Sequence, residues 1–276
     1  MKILFVGDVV GRAGRELLIE TVPKLREELD LDVVIVNGEN AAGGFGITQR
    51  IAETFYEAGV DLITTGNHVW DQRELLGTIN GDPRMIRPLN LSPDTPGRGI
   101  TAIRTQSGKT LVLAQVLGRI HMKPVACPFR ALDAELTKYP LGGSADAIVI
   151  DVHAEITAEK QALGHYLDGR VSLVVGTHTH TPTADARILS GGTAYITDVG
   201  MCGAYDSVIG MEKQASIKRF LSDVPGARME PAHGPATLSA VAVETKQGGG
   251  AEAIRHLVRG TAFELSSRHD KEPASL

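Results

Sequence analysis

The chain has 276 residues, of which 42% are hydrophobic, and its formal net charge is -5. This composition supports a well-buried core and excludes intrinsic disorder. Because the net charge is negative, there is no strong basic field to bind duplex nucleic acid, and a small phosphorylated substrate is the better partner.

Two cysteines, Cys127 and Cys202, are too few and too far apart for a disulfide framework, which favours a reducing compartment. The sequence begins directly with a strand pattern and contains no apolar run long enough to cross a bilayer. We therefore expect a soluble, cytoplasmic protein with no membrane partner. The sequence leaves open whether the chain forms a homo-oligomer.

Continuous apolar runs separated by helical patterns predict an α/β fold in the first half of the chain. The same type of run recurs later, and strands are expected over residues 2–6, 32–36, 60–65, 147–150 and 171–175. Helices are predicted around Leu18 to Leu29, over 48–58 and over 70–79. Pro23 should kink the first helix or restart it.

The second half departs from strict alternation of strand and helix. Residues 80–99 are rich in Pro, Gly and Asn, which predicts a long irregular loop. Later patterns predict a hairpin over 100–104 and 110–117, a hairpin over 187–197 and a strand over 237–244. We therefore expect a second, mixed sheet, within one domain over 1–265 and a frayed tail over 266–276.

Polar side chains that can bind metals follow several of the predicted strands. They are Asp8, Asn37, Glu39, Asn40, Asn67, His68, His153, His178 and His180. Because the carboxyl ends of strands in an α/β sheet meet at one edge, residues distant in sequence should converge there.

His178 and His180 form the sharpest local pair. In an extended segment, residues two apart point to the same side, so both imidazoles could approach one metal or two neighbouring metals. His153, in Asp-Val-His-Ala-Glu, adds a third imidazole in a similar setting. A single histidine after a strand would more often be structural.

Asp8 and Glu39 would complete the ligands for two divalent cations, provided that one carboxylate bridges them. The alternative is that each carboxylate only stabilises a helix start. Asn67 could supply an amide oxygen, and the adjacent His68 could protonate a leaving oxygen. Taken alone, this dipeptide is equally compatible with a turn.

Other candidates carry weaker signals. Arg12 lies near Asp8 and could contact a phosphate of the substrate, although surface arginines near helix starts are common. Cys202 fits a buried thiol better than a nucleophile. The glycines lack the G-x-G-x-x-G spacing of dinucleotide-binding folds. Outside any comparable cluster lie His121, His165, His233, His256 and His269.

The joint pattern resembles a known superfamily. Gly7-Asp8, Asn37-Gly38-Glu39-Asn40, Gly66-Asn67-His68 and Gly176-Thr177-His178-Thr179-His180 are similar to the calcineurin-like metallophosphoesterases, and more specifically to their YmdB-like branch. The resemblance implies a four-layer α-β-β-α sandwich of two mixed sheets flanked by helices. It also implies a phosphodiesterase that opens 2',3'-cyclic nucleotides at the 2' bond.

The same resemblance implies two metal positions. The first would be held by Asp8, Glu39, Asn40 and His180, and the second by Glu39, Asn67, His153 and His178. Hydroxide between the metals would attack phosphorus, and His68 would be the general acid.

Two departures from the superfamily pattern affect the metals. Asp8-Val9-Val10 lacks the histidine of the usual Asp-x-His, and Glu39 replaces the usual bridging aspartate. The resemblance implies that Asn40 fills the vacant position. An amide oxygen makes the site harder, which favours iron, manganese or magnesium over zinc.

Two other functions are weighed against this interpretation. Metal-dependent amide hydrolases also use His-x-His, but in their barrels the pair typically follows the first strand. A nucleotide-binding regulator with a slow metal centre is the alternative outside the enzymes.

Overall fold

The fold is seen in a computed structural model, which describes residues 1–224 and 228–260. Within these residues the chain forms two β-sheets that pack face to face, with helices on both outer sides. The predicted tail over 266–276 lies outside the described residues.

The first sheet has seven strands: β1 (Lys2–Val6), β2 (Asp8–Val9), β3 (Val33–Asn37), β4 (Leu62–Thr64), β11 (Met201–Ala204), β12 (Ala236–Thr245) and β13 (Ala251–Gly260). β1 is parallel to β3, which is parallel to β4, and β12 is antiparallel to β1. β12 also pairs with β13, and β11 pairs with β2 and β12. The strands predicted near residues 2, 32, 60 and 237 are confirmed with small shifts of their ends.

The second sheet has six strands: β5 (Ile100–Arg104), β6 (Thr110–Leu117), β7 (Ala147–His153), β8 (Leu173–Thr177), β9 (Arg187–Ile188) and β10 (Ala194–Ile196). β6, β7, β8 and β10 are parallel neighbours, whereas β5 and β9 pair antiparallel at the edges. Both predicted hairpins and the second mixed sheet are therefore confirmed. β7 extends beyond its predicted end, so that His153 closes the strand.

The helices are α1 (Gly11–Leu29), α2 (Gln49–Glu57), α3 (Leu75–Thr78), α4 (Pro128–Leu136), α5 (Thr157–Tyr166) and α6 (Lys213–Leu221). The prediction of α2 is confirmed, and its start is capped by the Thr48 side chain, which accepts from the Ile51 N–H. No helix in the described part of the chain is long and apolar enough to span a bilayer.

Two helix predictions need correction. α1 is not restarted at Pro23 but continues through it, and Pro23 lies on the exposed side, where the carbonyl that loses its helical partner can face water. The helix predicted over 70–79 is reduced to α3 and a 3₁₀ turn at Ile79–Gly81. Its first part instead forms turns, in which the Asp71 N–H donates to the His68 carbonyl.

Three apolar clusters fill the space between the layers. The first lies between the seven-stranded sheet and α1 and α2, the second between the two sheets, and the third between the six-stranded sheet and α4 and α5. The predicted four-layer α-β-β-α sandwich is therefore confirmed. The amide-hydrolase alternative, which rests on a barrel, is not supported by these two sheets.

Candidate metal centre

The polar residues singled out in the sequence converge where strand ends of both sheets meet. Asp8 follows β1, Glu39 and Asn40 follow β3, and Asn67 follows β4, all from the seven-stranded sheet. The six-stranded sheet contributes His153 at the end of β7, and His178 and His180 after β8. Buried apolar strands thus position every donor.

One group of donors surrounds His153 Nε2. This nitrogen lies 3.1 Å from Glu39 Oε1, 2.9 Å from Asn67 Oδ1 and 3.1 Å from His178 Nδ1. Glu39 and His153 are buried, while His178 remains partly open to solvent. Four donors therefore face a common point, which is the arrangement that a cation requires.

A second group surrounds His180 Nε2. It lies 3.2 Å from Asn40 Oδ1 and 3.8 Å from Asp8 Oδ1. Donor atoms of Asp8, Glu39 and His180 all lie within 4.8 Å of one another. Glu39 therefore belongs to both groups, as a bridging ligand would.

Each of the three imidazoles turns one ring nitrogen toward the other donors and is oriented by a hydrogen-bond partner on its second ring nitrogen. His180 Nδ1 is 2.8 Å from the Ile209 carbonyl, and His178 Nε2 is 3.1 Å from Glu155 Oε2. Both acceptors require an N–H on that nitrogen, which leaves the inner nitrogen to bind a metal. Such outer partners typically fix the tautomer of metal-binding histidines.

His153 is oriented by a relay of two further groups. His153 Nδ1 is 2.8 Å from Thr177 Oγ1, and Thr177 Oγ1 donates to Asp151 Oδ1 at 2.7 Å. Since the hydroxyl hydrogen is used on Asp151, Thr177 accepts from the imidazole. His153 therefore also carries hydrogen on its outer nitrogen.

The pair of histidines after β8 converges by a different geometry from the one predicted. The segment is not extended: φ is 94° at His178 and 62° at His180, both in the left-handed region. Asp198 holds the intervening residue, since its Oδ2 accepts from Thr179 N at 3.2 Å and from Thr179 Oγ1 at 2.6 Å. Lys160, buried on α5, pairs with the same oxygen at 2.7 Å.

Burial and mutual attraction shift the pKa values of the donors. Burial raises the pKa of Asp8 to about 7 and lowers that of His178 to about 3. For Glu39, burial is outweighed by the attraction of His153, and the pKa falls to about 2. For His153, burial is outweighed by the attraction of Glu39, and the pKa rises to about 9. A bound cation would replace the proton on His153 Nε2.

Two observations test whether these residues fit metal ions. Within the described residues, Asp8 Oδ1 is one of two buried side-chain atoms without a hydrogen-bond partner. In addition, a Cβ at Gly66 would lie 2.0 Å from Glu39 Oε2 and 2.6 Å from His153 Nε2. An unpaired buried carboxylate oxygen and a space kept clear by glycine fit a bound cation.

His68 lies beside the donors, and its ring contacts none of the three imidazoles. Its backbone N–H donates to Glu39 Oε2 at 3.1 Å, and its ring packs edge-on against Phe45 with centroids 5.1 Å apart. Nδ1 is 2.8 Å from Asp71 Oδ2, which accepts its hydrogen. This leaves Nε2 as the nitrogen that can exchange a proton with a bound substrate.

The structure brings together all seven residues predicted as ligands, although their roles as ligands stay predictions. Five positioning residues were missed by the sequence interpretation: Asp151, Glu155, Thr177, Lys160 and Asp198. For Asp151 a signal existed, since it lies two residues before His153 on one strand and therefore on the same face. The other four depend on contacts that the sequence does not reveal.

The remaining candidates lie outside the donor groups. Arg12 is exposed on α1 and pairs with Glu16 at 2.6 Å, so its contact with substrate stays a prediction. Cys202 is a buried free thiol whose pKa is raised by burial. His256 Nε2 bonds to Ser239 Oγ at 2.8 Å. His233, left out of the site prediction, lines a cavity with Arg12.

Comparison with known proteins gives consistent relatives. A sequence model of the family described as YmdB-like protein matches residues 4–257. A Bacillus subtilis (strain 168) protein named 2',3'-cyclic-nucleotide 2'-phosphodiesterase is 47% identical over 247 residues, which cover 88% of this chain and 91% of the relative.

Solved structures agree with this result. A hypothetical protein from Thermus thermophilus has a TM-score of 0.88 and 43% identity, covering 94% of this chain and 99% of its own. A Mycoplasma pneumoniae protein described as a novel phosphatase has a TM-score of 0.87 and 33% identity, covering 96% of each chain.

Proposed function

Because this chain belongs to the YmdB-like family and is a phosphoesterase, we propose that it opens 2',3'-cyclic nucleotides at the 2' bond with two divalent cations. The proposal rests on the position of Glu39, which is shared between two groups of donor atoms. The name of the Bacillus subtilis relative supports the substrate class.

The donors divide into two sets around Glu39. One cation would be held by Asp8, Glu39, Asn40 and His180, and the other by Glu39, Asn67, His153 and His178. When bound, such a pair of cations supplies Lewis-acid charge neutralisation at the phosphoryl group and an activated water.

His68 is the proposed proton donor. Hydrolysis adds water across the bond between phosphorus and the 2' oxygen and leaves a 3'-phosphomonoester. As this bond breaks, His68 Nε2 gives its proton to the 2' oxygen. Asp71, hydrogen-bonded to Nδ1 at 2.8 Å, supports the positive charge of the protonated ring and holds its orientation.

We propose iron or manganese as the natural metals, with magnesium as a weaker substitute. Asn40 Oδ1 stands 3.2 Å from His180 Nε2 and supplies a hard oxygen ligand, which disfavours zinc. Metal analysis of protein purified without added metal should find iron or manganese, and a zinc-only result would contradict the preference.

The activity is tested on a panel of 2',3'-cyclic nucleotides, linear phosphodiesters and phosphomonoesters, with iron, manganese and magnesium each added to metal-stripped protein. We expect metal-dependent hydrolysis of the cyclic substrates with release of the 3'-phosphate. Asp8→Asn should abolish it, whereas His165→Ala, an exposed histidine on α5, is the matched control. Tight nucleotide binding without turnover would instead favour the regulator.

A further inference from the structure

A cationic cavity of about 440 Å³ opens beside the candidate metal centre. Its wall carries Arg12 and Arg15 from α1, and Arg228 and His233 from the segment before β12. Nothing in the proposed hydrolysis of the cyclic phosphate uses this cavity. Its volume falls within the range of small-molecule sites.

Hydrogen bonds link the cavity wall to Asn40. Gly43 lines the cavity, and the next residue, Gly44, exchanges two hydrogen bonds with Asn40: Gly44 N–H donates to the Asn40 carbonyl at 3.1 Å, and Asn40 Nδ2 donates to the Gly44 carbonyl at 3.0 Å. Arg15 donates to the carbonyl of Ala41. The loop that presents Asn40 to His180 is thus also one wall of the cavity.

A second connection runs to His180. The Ile209 carbonyl accepts from His180 Nδ1 at 2.8 Å, and the next carbonyl, of Gly210, accepts from Ala232 N–H at 2.8 Å. Ala232 lines the cavity. Two independent links therefore place the cavity beside the half of the centre that contains Asn40 and His180.

The charge of the cavity favours an anion. Within the described residues, Arg228 has no ion-pair partner, and its guanidinium lies 5.9 Å from the ring centroid of Phe45, which packs against His68. Arg15 bonds only to a neutral carbonyl among the described residues. Arg12 pairs with Glu16, but both side chains are exposed, and such pairs hold weakly. One acidic residue, Glu230, lines the same wall.

We propose that this cavity binds a phosphate on the 5' oxygen of the nucleotide whose cyclic phosphate is hydrolysed. The inference rests on the proposed function and adds a second recognition point to it. One guanidinium group can bind phosphate through two parallel N–H bonds, and three arginines line this cavity. The 5' phosphate is either free or esterified to a preceding nucleotide, and the net charge of -5 disfavours a long polyanionic strand.

Three substrates test the proposal on the manganese-loaded full chain. They are adenosine 2',3'-cyclic phosphate, the same nucleotide with a 5'-phosphate, and a dinucleotide that ends in the cyclic phosphate. We expect kcat/KM to be about tenfold higher for at least one of the two phosphorylated substrates, since charge-assisted bonds to one phosphate contribute on that scale. Whichever phosphorylated substrate has the higher kcat/KM shows whether the cavity binds a free 5' phosphate or one esterified to a preceding nucleotide.

The exposed Arg228 is the residue to change, because Arg228→Gln removes its charge without disturbing a buried contact. This variant should lower the preference for the phosphorylated substrate about tenfold. Arg104→Gln is the matched control, because it also removes one arginine charge. Arg104 pairs with Thr110 at the end of the six-stranded sheet opposite to His153, and this variant should keep the preference for the phosphorylated substrate.

Equal kcat/KM for all three substrates, or an unchanged preference in Arg228→Gln, would overturn the cavity assignment while leaving the proposed function intact. Failure to hydrolyse any of them would contradict the proposed function instead. In that case the binding of adenosine 5'-monophosphate, measured by calorimetry, still tests the cavity. A Kd raised about tenfold in Arg228→Gln supports the assignment, and an unchanged Kd overturns it.

Discussion

Thr177 shows how much of the candidate centre depends on a single hydroxyl. It accepts from His153 Nδ1 at 2.8 Å and donates to Asp151 Oδ1 at 2.7 Å, with all three residues buried. The hydroxyl fixes which nitrogen of His153 carries hydrogen, and it aims Nε2 at the other donors. Outer partners of this kind usually affect metal affinity by about 10–100-fold.

We therefore expect Thr177→Val to weaken metal binding about tenfold or more while keeping the shape of the side chain. Thr64→Val is the matched control, because Thr64 Oγ1 also donates to Asp151, at 2.6 Å, and is equally buried. Titration of metal-stripped protein with manganese measures both affinities. Equal weakening in the two variants would show that metal affinity depends on the hydrogen bonds to Asp151 and not on the relay from Thr177 to His153.

His68 should affect the reaction and leave the metals in place. His68→Ala removes the proposed proton donor, and we expect kcat to fall by about 10²–10⁴-fold, as for other general acids. Metal content should stay unchanged, because His68 side-chain atoms contact Asp71 and Phe45 and not the donors around His153. Loss of metal together with activity would identify His68 as a ligand.

At the residue scale, the position of a donor could be predicted from the sequence where a polar residue lies at or just after the end of a buried strand. Asp8, Glu39 and His153 all come at or just after continuous apolar runs, so their convergence could be predicted without coordinates. Glu155 could not be assigned, since its contact with His178 Nε2 depends on how the loops after β7 and β8 pack against each other.

At the element scale, the segment after β8 is held in an uncommon backbone conformation by a buried ion pair. Left-handed φ values at His178 and His180 are unfavourable for residues with a side chain. Asp198 compensates by accepting from Thr179 N and Oγ1, and Lys160 balances its charge. The pair therefore connects α5 to the loop that carries two proposed ligands.

Replacing Lys160 and Asp198 by apolar residues distinguishes the effect of the ion pair on folding stability from its effect on the position of the loop after β8. Lys160→Met alone leaves a buried carboxylate unpaired and should destabilise the fold by about 3–5 kcal/mol. The double variant Lys160→Met with Asp198→Leu should recover only part of this stability, because the N–H groups of Thr179 and Gly200 then lose their acceptor. It should still bind manganese more weakly than the native protein, because Thr179 N–H has lost its acceptor. Native affinity in a stable double variant would show that the pair has no role in placing the histidines.

Strands could be predicted from the sequence where they are buried along nearly their whole length, because such strands form continuous apolar runs. β1, β3 and β8 are buried along nearly their whole length and form continuous apolar runs in the sequence. β13 was missed because only Ala251 and Leu257 of its ten residues are buried, while charged residues such as Glu252 and Arg255 are exposed, so it forms no apolar run. The helix expected over 70–79 is not formed in its first part, because local hydrogen bonds between His68 and Asp71 favour turns.

At the scale of the whole molecule, the two sheets contribute different chemistry to the centre. Both proposed carboxylate ligands, Asp8 and Glu39, and both amides come from the seven-stranded sheet, whereas all three imidazoles come from the six-stranded sheet. A cation bound at Glu39 and His153 therefore bridges the two halves of the sandwich. The pattern of runs predicted a second, mixed sheet, and the family resemblance implied the layer order, but neither revealed this division between the sheets.

Metal binding should consequently stabilise the sandwich as a whole. At a free manganese concentration about 100 times Kd, a ligand specific for the folded state adds about 2.7 kcal/mol, which should raise Tm by several degrees for a chain of this size. Calorimetric scans at a fixed heating rate, with and without chelator, measure the rise. Glu39→Gln should remove most of it because it removes the shared carboxylate, whereas His165→Ala, on the exposed side of α5, should keep it. A native Tm that manganese leaves unchanged would contradict a cation bridging the two sheets.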